Sequence, residues 1–326
     1  MTKRSPPRAA APAERPATAD LEALYDAVYA SPDDDAPRSA LAAALTAQGD
    51  PRGELIARQL APLDQRDLTR EAKLVAKHQK LWLGELAPAV RYKTPVYCGP
   101  TRGYSDMHIG VRWDRGFVAG INLDLSDTRM KKLAALPAWS TVEFVLFGRS
   151  ETADPAATRA LLGAMHGLRG LAGHRALLEA AADTPAVRAR LTTLHAWLWR
   201  DADAPATMTA LCERFPKLRR LAFVYTDDVA PLVASPLFAR LEEMYLGSTL
   251  TPITVRREGD DLHLTVVGYN GPVEPWVFVV LDALPAAQVA SLSLTGRDVS
   301  KGHYALAKRF PRVREAVYQG ERPRVL

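Results

Sequence analysis

Cysteine is scarce in this sequence: Cys98 and Cys212 are the only two in 326 residues. They stand far apart and match no metal-ligand spacing, which argues against a disulfide framework and for a reducing cytoplasm. Long apolar runs are missing as well. Nowhere do about 18 uncharged apolar residues follow one another, so no membrane span is expected. The segment 1–19, MTKRSPPRAAAPAERPATA, contains no Leu, Ile, Val or aromatic residue. It cannot bury enough surface to offset its ordering entropy and reads as a disordered tail. Its positive charges are followed by no apolar core, so it does not work as a secretory signal. Familiar catalytic signatures are also missing: there is no G-x-S-x-G elbow, phosphate-binding glycine loop, H-E-x-x-H or C-x-x-C pair.

The apolar fraction of 48% is ample for a sizeable core. The net charge of +5 raises the question of nucleic acid. The arginines are scattered among acids, however, and the one local basic cluster lies in the tail. Nucleic-acid affinity needs charge gathered on one face, so this reading is set below the others.

From Asp20 the pattern is helical, and residues 20–90 read as a small all-helical unit. Leu21, Leu24, Tyr25 and Val28 form one apolar stripe. Ser31 to Pro37 breaks it, because Pro32 and Pro37 cannot sit inside a helix. The aspartates 33–35 lack the further oxygen ligands of a calcium loop and suit an N-capping turn. Leu41 and Leu45 mark a second helix that Gly49-Asp50-Pro51 ends, and Gly53 to Leu60 begins a third. A fourth spans about Leu68 to Leu86, with Leu74, His78, Leu81 and Trp82 on one side.

The blocks Ser31-Pro32-Asp33-Asp34-Asp35, Pro37-Arg38, Leu45, Gly49-Asp50-Pro51-Arg52-Gly53-Glu54 and Gln59 resemble the bacterial repeat-companion domain. That domain is a helical unit found before degenerate leucine-rich repeats. Trp82-Leu83-Gly84 and Trp113-Asp114-Arg115-Gly116-Phe117-Val118 are similar to the segments that follow it. The family tends to carry Tyr-Ala-Asp-Trp-Leu in its second helix, where this chain has Leu41-Ala42-Ala43-Ala44-Leu45. The resemblance covers roughly residues 20 to 120 and implies repeats downstream, with no established activity.

Segment 91–326 carries a recurrent apolar-x-x-apolar-x-apolar pattern. It occurs at Val118/Ile121/Leu123, Trp139/Val142/Phe144, Leu191/Leu194/Ala196, Leu218/Leu221/Phe223, Leu241/Met244/Leu246, Val289/Leu292/Leu294 and Val313/Ala316/Tyr318. Successive first positions are offset by 21, 52, 27, 23, 48 and 24 residues, as if a degenerate unit lay in each long gap. Such a period fits one strand and one helical return per unit. The expected fold class is therefore α/β, an irregular leucine-rich-repeat-like solenoid behind a helical unit, preferred over an ordinary α/β sandwich. Prolines 137, 216, 236 and 311 precede strands and are read as closing the preceding helix or turn. Helices are expected over Asp154–Leu162, Ala204–Phe215, Trp276–Leu284 and Ser300–Phe310. Residues 253–267 read as a β-hairpin insertion with a Gly/Asp turn, and Tyr269 to Pro272 as a second turn.

If the apolar pattern points inward, the intervening residues form an outer, concave sheet face. Asn122, Asp124, Glu143, Phe147, His195, Trp197, Trp199, Val224, Tyr245, Ser293 and Thr295 fall on it. The expected binding residues are Glu143, His195, Trp197, Trp199 and Tyr245. Large aromatics on such a face anchor interactions. Alternatively, a loop or the helices cover the two tryptophans as a second small core. Asp227-Asp228 suit helix capping, and His166, His174 and His303 lack metal-ligand spacing. The functional expectation is a non-catalytic scaffold for an unidentified protein or peptide partner, with no cofactor, metal or membrane. The alternative is an enzyme whose site is assembled from distant residues, His195 with Asp201 or Glu143 being the pair to inspect.

Overall fold

A computed structural model describes residues 18–90, 95–97, 110–123, 130–147, 154–197, 205–224, 228–247, 252–267, 275–295, 308–313 and 316–319. The expected tail therefore lies almost wholly outside the described residues. Four helices come first: α1 (Thr18–Ala30), α2 (Asp35–Gln48), α3 (Pro51–Leu60) and α4 (Leu68–Leu83). Their ends follow local chemistry. Asp34 and Asp50 accept N–H bonds from Ala36 and Arg52 at 2.9 and 2.8 Å, and Pro51 starts α3 where no N–H is needed. Gly49 closes α2 at φ 76°, in the left-handed region. Gly53 is equally specific: a Cβ there would meet Thr46 and the Ala42 carbonyl within 2.7 Å, so glycine lets α2 and α3 touch. The stripe expected on α4 is partly wrong. Leu74, Val75 and Leu83 are buried, while Leu81 is 77% exposed, because the buried face turns with the helix period through 75 rather than 81.

Among the described residues twelve strands form one open sheet whose spatial order is their chain order. They are β1 (Pro95–Tyr97), β2 (Val111–Asp114), β3 (Phe117–Leu123), β4 (Phe144–Phe147), β5 (Gly170–Gly173) and β6 (Thr193–Trp197). There follow β7 (Arg220–Val224), β8 (Glu243–Gly247), β9 (Pro252–Glu258), β10 (Asp261–Val267), β11 (Val289–Thr295) and β12 (Ala316–Gln319). Strands β3 to β8 are all parallel. Helical returns join them: α5 (Met130–Leu133), α6 (Pro155–Ala164), α7 (Arg175–Ala182), α8 (Pro185–Arg188), α9 (Pro205–Glu213), α10 (Ala230–Val233) and α11 (Pro236–Arg240). The expected hairpin is present as the antiparallel pair β9–β10, and β8 also pairs antiparallel with β9. Two reversals restore the original direction, so β10 again runs parallel to β11, through α12 (Pro275–Ala283), and β11 to β12. The helix expected over Ser300–Phe310 and the turn at Tyr269–Pro272 fall mostly or wholly outside the described residues.

Correct framing of the repeat differs from the sequence reading at one strand. Val142, Val145 and Phe147 point into the core, and Phe144 points out. The pattern Trp139/Val142/Phe144 is thus three residues early, misled by a buried Trp139 that belongs to the preceding 3-10 turn. Phe147 is accordingly a core residue and not part of the outer face. With this frame, and with Leu168/Leu171/Gly173 filling the first long gap at β5, units start at Val118, Val142, Leu168, Leu191, Leu218 and Leu241. Their intervals are 23 to 27 residues. The second long gap holds the hairpin, whose β10 contributes Leu262, Leu264 and Val266 to the same core.

Two backbone features recur with this interval. The carbonyls of Glu143, Arg169, Thr192 and Arg219 each accept bonds from two consecutive amides at the start of the next strand. Arginines then tie each unit to the one before: Arg190 to the Met165 and His166 carbonyls, Arg240 to Glu213 and Phe215, Arg257 to Phe238 and Leu241, and Arg312 to Ala287. These satisfy carbonyls at turn ends that the helices cannot. Four arginines are consumed internally in this way. Of the prolines expected to close a preceding helix or turn, Pro216 lies in the turn after α9 as expected, whereas Pro137 and Pro236 open helical segments at their first turn. Pro155 and Pro185 open α6 and α8 in the same way.

Candidate functional site

The outer sheet face can be followed rung by rung. One row runs Asn122, Leu146, Ala172, His195, Ala222, Tyr245, Thr254, Thr265, Ser293. Beside it, one residue pair earlier in each strand, runs Arg112, Gly120, Phe144, Gly170, Thr193, Arg220, Glu243, Arg256, His263 and then Ser291. The face has two halves. From β4 to β7 it carries a second small core of Leu146, Ala172 and Ala222, with Phe144 and Tyr245 packed against it. From β7 onward it is polar.

His195 occupies the expected outer position but is only 7% exposed. Its ring meets that of Phe144 edge-on at 5.5 Å between centroids. Burial lowers its pKa from 6.5 to about 4, so the imidazole is neutral at pH 7. It is therefore part of the small core and not an exposed contact. The stability consequence has a definite sign. Between pH 6.5 and 4 the unfolded chain takes up a proton that folded His195 resists, so stability falls with pH across that window. The loss expected by pH 4 is about 3 kcal/mol. Urea unfolding of wild type and His195→Leu at pH 7 and pH 4 reads it. The variant is expected to lack most of this component, and an equal acid loss in both proteins would contradict the assignment.

Glu143 is also displaced from its expected role. Its carboxylate is shared by Arg112, at 3.0 Å, and Arg115, in a shorter contact. It does not serve as an acid partner of His195, whose neighbour is the Phe144 ring. Asn122 is buried and Tyr245 is half-buried. Trp197 ends β6 opposite Val224, but its side chain, like Trp199, Asp124 and Asp201 entirely, lies outside the described residues.

Sequence reasoning missed the polar half. Glu243 lies between Arg220 and Arg256, at 3.8 and 3.4 Å. These long, one-pronged pairs leave guanidinium donors available to another acceptor. His263 Nδ1 lies 2.8 Å from Ser291 Oγ, and its Nε2 lies 3.6 Å from an exposed Glu258 carboxylate. The Glu258 carboxylate is beyond hydrogen-bond range of the ring, while the Ser291 hydroxyl is within it. The signal for Arg256, Glu258 and His263 was the alternation within 253–267, applied to its outward positions; for Arg220, Glu243 and Ser291 it was the same alternation one step earlier in their strands.

In the acidic turn Asp34 caps α2 as expected, and no cluster of metal-ligand type occurs among the described residues. Asp33 and Asp35 flank that cap and make ion pairs instead. They reach Arg169 at 2.6 Å and Arg115 at 3.3 Å on the sheet. Asp228 accepts a bond from Ala230 N at 3.2 Å, again at a helix start. Buried Cys212 has its thiol pKa pushed far up by burial, so it is inert. No described helix is long and apolar enough to cross a membrane.

No protein-family model matches this chain, and no curated protein or solved structure does either. The resemblance to the repeat-companion domain therefore rests on the motif residues themselves.

Proposed function

We propose that the protein is a non-catalytic, leucine-rich-repeat-like solenoid that binds a protein or peptide across its outer sheet face, with the helical unit as its N-terminal cap. The observation that carries this reading is the division of labour between the two faces of the sheet. The inner face and the helices share one continuous apolar core, while the outer face presents an ordered row of polar side chains from β7 to β11. Repeating units of 23 to 27 residues in chain order are the geometry of such binding surfaces. Tyr245, Arg220 and Arg256 form the centre of the proposed surface, with Trp197 at its margin. An aromatic ring flanked by arginines whose ion pairs are loose is a favourable anchor.

Affinity capture with tagged wild type and a Tyr245→Ala/Arg256→Glu variant tests this. The same specific protein is expected with wild type and is expected to be lost, by tenfold or more, with the variant. Thermal unfolding is the control for the fold: a modest fall is expected, since Tyr245 packs against the small core and a glutamate at 256 would face Glu243, with the variant still folded at the capture temperature. Equal recovery by both proteins would remove the outer-face assignment.

A further inference from the structure

The two sequence blocks that carry the family resemblance, 49–59 and 113–118, meet in space. Strands β2 and β3 are joined by the two-residue turn Arg115-Gly116, with φ of 48° and 78°. Positive φ at both positions defines the tight hairpin turn that matches strand twist. Helix α3 reads this turn residue by residue. Gln59 accepts the Gly116 N–H at 2.8 Å and donates to the Trp113 carbonyl at 3.3 Å. Arg52 donates to the Gly116 carbonyl at 3.1 Å and lays its guanidinium over the Phe117 ring, 4.6 Å from the centroid. Ile56 fills the space that any side chain at 116 would take.

We infer that α3 is a dedicated receptor for a glycine β-turn followed by an aromatic residue, and that this plug-and-socket joins the helical unit to the sheet specifically enough to hold without a covalent connection. The ligand class is thus a tight type I′ turn of the form x-Gly-Phe, supplied here by the chain itself. Three backbone polar groups of the turn are bonded by two side chains, both on one helix. Buried, satisfied backbone contacts of this kind discriminate strongly, because a wrong partner leaves them unpaired. The shared apolar contacts of Leu55, Leu74 and Val75 add attraction but little discrimination. This inference stands apart from the scaffold proposal, since it concerns the opposite end of the sheet.

The test uses the full chain with a specific protease site placed at 91–94, ahead of β1, so that cutting separates helices from sheet. After cutting, the wild-type pieces are expected to co-elute and to separate only on strong dilution. Cut Arg52→Ala/Gln59→Ala protein is expected to separate at a concentration about a hundredfold higher, in line with losing one buried and one half-buried hydrogen-bonding side chain. Phe117→Leu keeps apolar bulk and removes the ring under the guanidinium, and about a tenfold effect is expected from it. Separation of the cut wild-type pieces on the column would overturn the inference. So would a cut double variant that holds as tightly as wild type.

Discussion

Glu71→Ala is expected to lower the unfolding free energy by about 3–5 kcal/mol, enough to unfold a protein of ordinary marginal stability. The Glu71 side chain is fully buried and that of Arg66 only 5% exposed. Two bonds join them, at 2.9 and 2.6 Å, and Gln59 completes the carboxylate at 3.3 Å. Alanine at 71 leaves the Arg66 guanidinium inside the protein with Asp114, 3.8 Å away, as its nearest described carboxylate. Burial already raises the pKa of Asp114. That carboxyl is therefore a weak replacement. Replacing both partners, Arg66→Met with Glu71→Leu, should recover most of the loss, since a buried pair is often no better than apolar residues of similar size. Chemical denaturation of the three variants measures both effects. A single-variant cost below about 1 kcal/mol, the range of exposed pairs, would mean that the pair is solvated.

Gly116→Ala is expected to cost about 3–4 kcal/mol, from two separable sources. The left-handed conformation is unfavourable for any residue with a Cβ, by about 1–2 kcal/mol. The added carbon would also stand 2.0 Å from Ile56 Cγ1, and overpacking a close contact adds about 1–3 kcal/mol. Gly49 serves as the internal comparison. It has nearly the same φ, 76°, with nothing within 4 Å of its hypothetical Cβ. Gly49→Ala should therefore show the conformational cost alone. If the two substitutions destabilise equally, the contact with Ile56 is not what selects glycine at 116. Combining Gly116→Ala with Ile56→Ala should remove the clash but open a cavity, so only partial recovery is expected.

Part of this protein was legible residue by residue. Asp34, Gly49, Asp50 and Pro51 announce the helix ends because capping is settled within a few residues of chain. The hairpin at 253–267 was visible because alternation and a Gly-Asp turn are local too. The frame of β4 was not, because Val142, Phe144, Val145 and Phe147 are all apolar and period alone cannot say which of them faces in. His195 was assigned to the correct face but the wrong environment. Side-chain direction follows from alternation, whereas exposure depends on what packs above the sheet, here the Phe144 ring and its neighbours.

The role of the recognised motif shows the same division. Its residues stood out in the sequence as a block, yet nothing within residues 49–59 says that Gln59 bonds the backbone at Gly116, 57 residues away. By itself the sequence determined the N-terminal helices and the interval of the strands, since propensity and periodicity act over short stretches. Only the tertiary structure decided that Glu143 joins Arg112 and Arg115, that Arg220, Glu243 and Arg256 share one row, and that the aspartate turn clasps the sheet. Those pairings depend on strand register and helix docking, which are set by the sum of many weak contacts across the whole fold and leave no signature at any single residue.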